Sequence, residues 1–201
     1  MIKNLLFDLG GVIMDIERKN CVAAFDRLGM ADADSFISGH KQHGPFLALE
    51  SGQIDEAGFR DGMRKLLPAG TTDEQIDHAL LQYLIGIPEQ RLTDLLELRK
   101  RYKVYMLSNT NTIMWNRFIL PEFRKQGKEV TDYFDGIVTS FDAKCCKPDA
   151  EIFRYAERTL GIKPEETIFF DDALPNIEGA QKLGFNVAHV TKERPFMSFI
   201  D

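Results

Sequence analysis

The chain carries three acids, a hydroxyl and a lysine near the ends of short apolar runs, and these side chains together suit a metal ion and a phosphate group. The acids are Asp8, Asp171 and Asp172, and the other two residues are Ser108 and Lys147. Carboxylates that lie close together repel each other, so a divalent cation or a lysine must offset their charge. Oxygen ligands of this kind suit a hard metal, which predicts Mg²⁺. A phosphate ester would complete the charge balance.

Five short segments are predicted to be buried strands, because they are rich in β-branched and aromatic residues and too short for helices. The segments are Asn4 to Leu9, Lys103 to Leu107, Gly136 to Thr139, Thr167 to Phe170 and Asn186 to Val190. Ligands of open α/β sheets bind at the carboxyl ends of the strands. Because the acids, the hydroxyl and the lysine all come at or after such ends, we expect them to meet at one edge of the sheet.

Helical patterns separate most of these strands. Asp149 is predicted to cap a helix that ends at Gly161, and Pro175 to open one that ends at Gly184. Strands that alternate with helices of this size imply right-handed crossovers and a parallel sheet covered on both faces. The predicted fold class is therefore α/β, with a three-layer, Rossmann-like parallel sheet as its core.

The segment from Glu17 to Gln90 breaks the alternation, since it shows helical periodicity but no strand. A capping box at Thr72 and Gln75, for example, predicts a helix that continues through Leu84. Such an insert, placed directly after the first strand, is best interpreted as a lid. We therefore expect a core made of residues 1–16 and 91–201, and an α-helical cap made of residues 17–90.

Composition excludes several classes of function. The 201 residues carry a net charge of −6 and no dense basic block, so nucleic acid is a poor candidate partner. Asp8 interrupts the first apolar run too early for a signal peptide or a membrane span. Three cysteines, two of them adjacent, favour a reducing compartment. We expect a cytoplasmic protein, either a monomer or a homodimer, without a membrane or nucleic-acid partner.

The order of these motifs resembles that of the haloacid dehalogenase-like hydrolase superfamily. Its pattern is a strand-end nucleophilic Asp, then a Ser or Thr, a Lys and a terminal acidic pair. Here the pattern matches Asp8, Ser108, Lys147 and Asp171-Asp172, in that order. Within the superfamily the chain is especially similar to bacterial sugar-phosphate phosphatases that act on α-glucose 1-phosphate. The resemblance implies a Rossmann-like core, a helical cap and a phosphatase.

The resemblance also implies a role for each residue. Asp8 would attack phosphorus and form an aspartyl-phosphate that water then hydrolyses, while Lys147 screens charge. Ser108 and the backbone amide of Asn109 would hold phosphoryl oxygens. The Mg²⁺ ligands would be Asp8, the carbonyl of Gly10, and the acidic pair, with Asp172 as the preferred ligand and Asp171 as support or as a ligand through water.

Gly10 departs from the family pattern, because most relatives carry a second Asp there as general acid and base. Such a group contributes roughly 10²–10⁴-fold in rate. Three explanations stay open. The leaving group is good enough to need little protonation, or another acid such as Asp15, Glu50 or His43 supplies the proton, or the protein has kept binding and lost chemistry.

Two other functions are weighed against a phosphatase of small phosphorylated metabolites, of which sugar phosphates are the first choice. One is a metal-independent haloacid dehalogenase. The haloacid dehalogenases also lack the second Asp, but their last motif has no paired acids, whereas this chain has Asp171 and Asp172. The other is a non-catalytic phosphate-binding regulator, which Gly10 favours.

Overall fold

The computed structural model describes residues 1–37 and 43–200, and its centre is a parallel sheet. The strands of the described residues are β1 (Asn4–Phe7), β2 (Asp15–Ile16), β3 (Leu84–Gly86), β4 (Lys103–Ser108), β5 (Gly136–Thr139), β6 (Thr167–Asp171) and β7 (Asn186–His189). Five of them form the sheet in the order β5-β4-β1-β6-β7, and every neighbouring pair is parallel. All five were predicted from the sequence, with ends that agree to within two residues.

The sheet is covered on both faces, which confirms the predicted three-layer α/β class. Alternate residues of a strand point to opposite faces. Leu5 and Phe7 of β1 accordingly belong to one apolar cluster, and Leu6 belongs to a second one. All four residues of β1 are buried, which explains why the run Leu5-Leu6-Phe7 before Asp8 is entirely apolar.

α-Helices follow every strand of the sheet except β7, after which comes a 3₁₀-helix (Phe196–Phe199), and a second 3₁₀-helix (Pro164–Glu166) precedes β6. The helices from α6 onward are as follows. In the order of the chain they are α6 (Glu89–Leu98) before β4, then α7 (Thr112–Met114), a π-helical stretch (Trp115–Ile119), α8 (Leu120–Arg124), α9 (Val130–Tyr133), α10 (Ser140–Ala143), α11 (Ala150–Leu160) and α12 (Leu174–Lys182). Apolar residues of α6 join the first cluster, and those of α11 and α12 join the second. Asp149 and Gly161 flank α11, as predicted.

The segment between β1 and α6 is largely helical, but the prediction that it lacks a strand was wrong. Its described helices are α1 (Arg18–Arg27), α2 (Ala33–Phe36), α3 (Gly44–Glu50), α4 (Glu56–Arg64) and α5 (Asp73–Leu81). The capping box of Thr72 and Gln75 opens α5, as predicted. Leu84 does not continue that helix, because β3 pairs with β2 as an antiparallel ribbon, and Glu17 N donates to Tyr83 O at 2.9 Å.

The ribbon of β2 and β3 lies where the chain leaves the sheet for the helices α1 to α5 and where it returns to α6. The pairing of Asp15 with Gly86 and of Ile16 with Leu84 joins two segments that are about seventy residues apart in sequence. The division into a core of residues 1–16 and 91–201 and a cap of residues 17–90 stays a prediction. In the part of the chain that the structure describes, none of the helices has the length and apolar character that a bilayer span requires.

Candidate active site

Asp8 stands at the carboxyl end of the central strand β1, between the ends of β4 and β6. Its backbone N–H donates to the carbonyl of Phe170 at 2.8 Å, which continues the pairing of β1 with β6 by one residue. The carboxylate turns back, and its Oδ1 accepts the backbone N–H of Leu9 at 2.7 Å. Asp8 is only 8% exposed, so the residue is almost entirely enclosed by its surroundings at the end of the sheet.

Lys147 bridges two of the three acids. Its Nζ lies 2.8 Å from Asp8 Oδ1 and 2.7 Å from Asp171 Oδ2, and the residue is buried. Burial by itself would lower the pKa of Lys147, but Asp171 and Asp8 raise it above its usual value. The ammonium group therefore stays charged between the two carboxylates.

Asn109 positions Lys147 through its side chain. Its Oδ1 accepts the backbone N–H of Lys147 at 2.9 Å, and its Nδ2 donates to the carbonyl of Lys147 at 3.0 Å. These two bonds join the loop after β4 to the loop after β5. The resemblance assigned only the backbone amide of Asn109, and nothing in the local sequence signals this second role of its side chain.

Asp171 has partners for both carboxylate oxygens. Oδ1 accepts the backbone N–H of Ala173 at 2.8 Å, Oδ2 accepts the Lys147 ammonium at 2.7 Å, and Asn176 Nδ2 lies 3.0 and 3.1 Å from the two oxygens. Asp171 is fully buried, so these bonds are needed to hold its charge. The carboxylate suits a role in fixing Lys147 better than a direct metal contact.

The three acids nevertheless form one cluster. One ligand oxygen from each of Asp8, Asp171 and Asp172 lies within 4.8 Å of the others. Burial raises the pKa of Asp8 to about 8; Lys147 opposes the shift, and Asp171 and Asp172 reinforce it. One lysine therefore does not neutralise the cluster. A divalent cation with oxygen ligands fits this set of donors and would favour the ionised form of Asp8.

Because Gly11 has no side chain, the carboxylate of Asp172 can occupy the space beside it. Its φ is +73°, a left-handed conformation that favours glycine, and a Cβ built there would overlap the Asp172 carboxylate. His189 Nε2 lies 3.0 Å from the carbonyl of Asp172 and contacts the same residue from the β7 side. Backbone packing thus holds Asp172 against the turn after β1.

We expect Gly11→Ala to weaken Mg²⁺ binding by at least about tenfold, because the new Cβ displaces Asp172 and strains the turn. Isothermal titration calorimetry of the purified variant with MgCl₂ measures this affinity directly. Gly70→Ala is the matched control, since Gly70 also has a left-handed φ but has nothing near its Cβ position. Equal Mg²⁺ affinity of Gly11→Ala and the wild type would contradict this placement of Asp172.

A cavity of about 430 Å³ opens beside these residues. Its lining includes Asp8, Gly10, Ser108, Asn109, Lys147 and Asp172. Helices α1, α3 and α5 and the β2–β3 ribbon also line the cavity, mainly with apolar residues. The structure therefore brings together the predicted site residues, with Asp171 behind Lys147 rather than on the described cavity wall.

The alternative acids named from the sequence are placed differently. Asp15 lies 2.7 Å from Arg91 in an ion pair, and it is not among the described residues that line the cavity. His43 is exposed at the start of α3 and likewise lies outside the described lining. Glu50, the last residue of α3, does line the cavity.

Comparison with known proteins shows that this chain is similar to hydrolases. A family model described as haloacid dehalogenase-like hydrolase matches residues 2–184. A D-ribitol-5-phosphate phosphatase of Bacteroides thetaiotaomicron is 40% identical over 185 residues, which cover 92% of this chain and 90% of the relative. A family enzyme of the same organism, solved with magnesium and inorganic phosphate, has a TM-score of 0.92 and 37% identity, with full coverage of both chains. The L-2-haloacid dehalogenase of Xanthobacter autotrophicus shares the fold, with a TM-score of 0.61 and 20% identity over 96% of this chain and 80% of that one.

Proposed function

The chain belongs to the haloacid dehalogenase-like hydrolases, and on this premise we propose that it is a Mg²⁺-dependent phosphatase of small phosphate esters. The observation that carries the proposal is the cluster of Asp8, Asp171 and Asp172, of which Asp8 and Asp172 line one cavity. Lys147, which lines the same cavity, pairs with Asp8 and with Asp171 behind it. The phosphatase relative and the related structure with magnesium and phosphate support the same chemistry.

Asp8 is the proposed nucleophile. One of its oxygens attacks phosphorus in line with the leaving oxygen, and the ester bond breaks as the bond between Asp8 and phosphorus forms. Water then attacks the aspartyl-phosphate, which releases inorganic phosphate and restores Asp8. Two easier displacements thereby replace one difficult displacement.

Charge stabilisation falls to the residues around Asp8. Asp8, Asp172 and the carbonyl of Gly10 are the proposed Mg²⁺ ligands, with Asp171 as support. When bound, the ion supplies positive charge where an anionic nucleophile meets an anionic phosphoryl group. Lys147 presents its ammonium to the same region, and Ser108 with the backbone amide of Asn109 are proposed to hold the remaining phosphoryl oxygens.

The proposed substrates are phosphorylated sugars and polyols. The activity of the Bacteroides thetaiotaomicron relative makes D-ribitol 5-phosphate the first compound to test. α-Glucose 1-phosphate, which the resemblance of the motifs suggested, is the second. The two differ in their leaving groups, since an anomeric oxygen departs more readily than a primary alkoxide. The ratio of the two hydrolysis rates therefore indicates how far the enzyme protonates the leaving oxygen.

Removal of Mg²⁺ tests the proposal and separates the candidate functions. We expect release of phosphate from a panel of sugar and polyol phosphates in MgCl₂, and a loss of at least about 10²-fold in excess EDTA, because the carboxylate cluster then repels the substrate. Release of halide from 2-haloacids in EDTA would instead favour the dehalogenase. Binding of phosphate with Mg²⁺ but no turnover of any ester would favour the regulator.

A further inference from the structure

Gly10 leaves the cavity without a carboxyl group two residues after the nucleophile, so the proton of the reaction needs another carrier. Among the described residues that line the cavity, the acids are Asp8, Glu50, Asp149 and Asp172. Asp8 is the proposed nucleophile, and Asp8 and Asp172 are proposed ligands of Mg²⁺. Asp149 is exposed at the N-terminus of α11, where it faces solvent. Glu50 is the remaining acid.

The backbone of Glu50 is fixed against the ends of the sheet strands. Its carbonyl accepts the hydroxyl of Ser140 at 2.7 Å, and Ser140 directly follows β5. The same hydroxyl oxygen accepts the backbone N–H of Thr110 at 3.0 Å, in the loop that begins with Asn109 directly after Ser108, the last residue of β4. A single buried serine thus joins the end of α3 to the proposed phosphate-binding loop.

A second contact fixes the chain just after Glu50. The ammonium of Lys144 donates to the carbonyl of Gly52 at 3.0 Å. Gly52 has a φ of +60°, and a Cβ there would overlap the carbonyl of Phe141. The segment from Glu50 to Gly52 is therefore packed against residues 140–144, and α3 cannot carry Glu50 away from the cavity without breaking these contacts.

The surroundings of the Glu50 carboxyl group suit proton transfer near neutral pH. Burial raises its pKa to about 7, against the opposing charge of Lys147. Among the described residues, the other titratable groups that interact electrostatically with it are Tyr83, before β3, and Cys146, beside Lys147; burial and then Glu50 raise the pKa of each. Both of these groups stay neutral near pH 7, so Glu50 and Lys147 are the groups of this set that carry or exchange charge there.

We propose that Glu50 is the general acid and base of the reaction, in place of a side chain at Gly10. This inference rests on the proposed phosphatase function. In the first step the protonated carboxyl group gives its proton to the leaving oxygen as the ester bond breaks and Asp8 binds phosphorus. In the second step the Glu50 carboxylate takes a proton from water as the water oxygen binds phosphorus and the bond to Asp8 breaks. Glu50 returns to its protonated form, so protons and bonds balance over the cycle.

The test compares Glu50→Gln with the wild type on two kinds of ester. With D-ribitol 5-phosphate, or the best alkyl phosphate of the panel, kcat should fall by roughly 10²–10⁴-fold, because an alkoxide must be protonated as it leaves. With p-nitrophenyl phosphate the leaving group departs unprotonated, so the variant should release about one equivalent of p-nitrophenol in a burst and then turn over slowly. Such a burst shows that the aspartyl-phosphate accumulates, because the variant has no base to deprotonate the water that hydrolyses it.

The pH profile supplies an independent measurement. For the alkyl phosphate, the wild-type kcat should decline as pH rises through the neutral range, because Glu50 must be protonated to act as the acid. Glu50→Gln should lack this decline, and Glu50→Asp should recover part of the lost rate. Glu74→Gln, which changes an exposed acid of α5, is the matched control and should behave as the wild type.

Three results would overturn the inference. One is Glu50→Gln with an unchanged kcat. The second is a rise in KM with equal losses for both esters and no burst, which describes a residue that only binds substrate. The third is a burst of p-nitrophenol from Asp149→Asn and none from Glu50→Gln. Failure of the proposed function is a separate result, namely a wild type without Mg²⁺-dependent release of phosphate.

Discussion

Asp8→Asn should lower kcat for phosphate release by at least about 10⁴-fold, because the amide cannot form the aspartyl-phosphate and enzymes that lose their nucleophile lose most of their rate. Steady-state release of phosphate with saturating Mg²⁺ and substrate measures the effect. Asp15→Asn is a useful comparison, since Asp15 lies 2.7 Å from Arg91 in an ion pair outside the described lining of the cavity. That variant should keep activity close to the wild type.

The stability of Asp8→Asn separates a chemical loss from misfolding. In the metal-free protein the pKa of Asp8 is raised from 3.8 to about 8, chiefly by burial. A carboxyl group with a raised folded-state pKa binds its proton more tightly in the folded state, so its contribution to stability is lost as pH rises from 3.8 to 8. The variant, which cannot ionise, should lose less stability over this range than the wild type. Mg²⁺-dependent turnover within tenfold of the wild type would contradict the role of Asp8.

Lys147→Met should destabilise the metal-free protein by about 3–5 kcal/mol, because it leaves the fully buried carboxylate of Asp171 without its cation. The ammonium lies 2.8 Å from Asp8 and 2.7 Å from Asp171, and the lysine is 3% exposed. The flexible methionine keeps most of the side-chain volume, so the loss is mainly electrostatic. Urea unfolding monitored by circular dichroism in EDTA measures the free energy of unfolding.

Mg²⁺ should recover part of the stability of Lys147→Met, since the ion offsets the same carboxylates, but it should not restore turnover. Lys182→Met, an exposed change in the last turn of α12, is the matched control and should alter stability little. An unfolding midpoint of Lys147→Met in EDTA equal to that of the wild type would show that Lys147 does not carry the charge balance of the cluster.

Strands and the position of the site could be predicted because their signals are local. A buried parallel strand is an unbroken apolar run, and the polar residues that follow Phe7 and Phe170 mark its end. Parallel pairing then brings these ends to one edge without any knowledge of side-chain contacts. Asp8, Ser108, Lys147 and the acidic pair were predicted as candidate site residues in this way.

Other features were hidden because they depend on pairing between distant segments. Leu84 continues the apolar spacing of α5, so its place in β3 follows only from the hydrogen bonds to β2. The bonds between the Asn109 side chain and the backbone of Lys147 join two loops that are far apart in sequence. The cytoplasmic location and the oligomeric state stay predictions, since they depend on the cell and on a second copy of the chain.

Rapid acid quench is the most direct test of the central claim. The wild type turns over ³²P-labelled D-ribitol 5-phosphate, or the best ester of the panel, with Mg²⁺, and is denatured in acid within the first turnover. We expect ³²P bound to the peptide that contains Asp8, released by hydroxylamine as expected of an acyl phosphate, and absent from Asp8→Asn. Mg²⁺-dependent turnover that leaves no label on this peptide at any quench time, with Glu50→Gln included to slow its loss, would contradict the account.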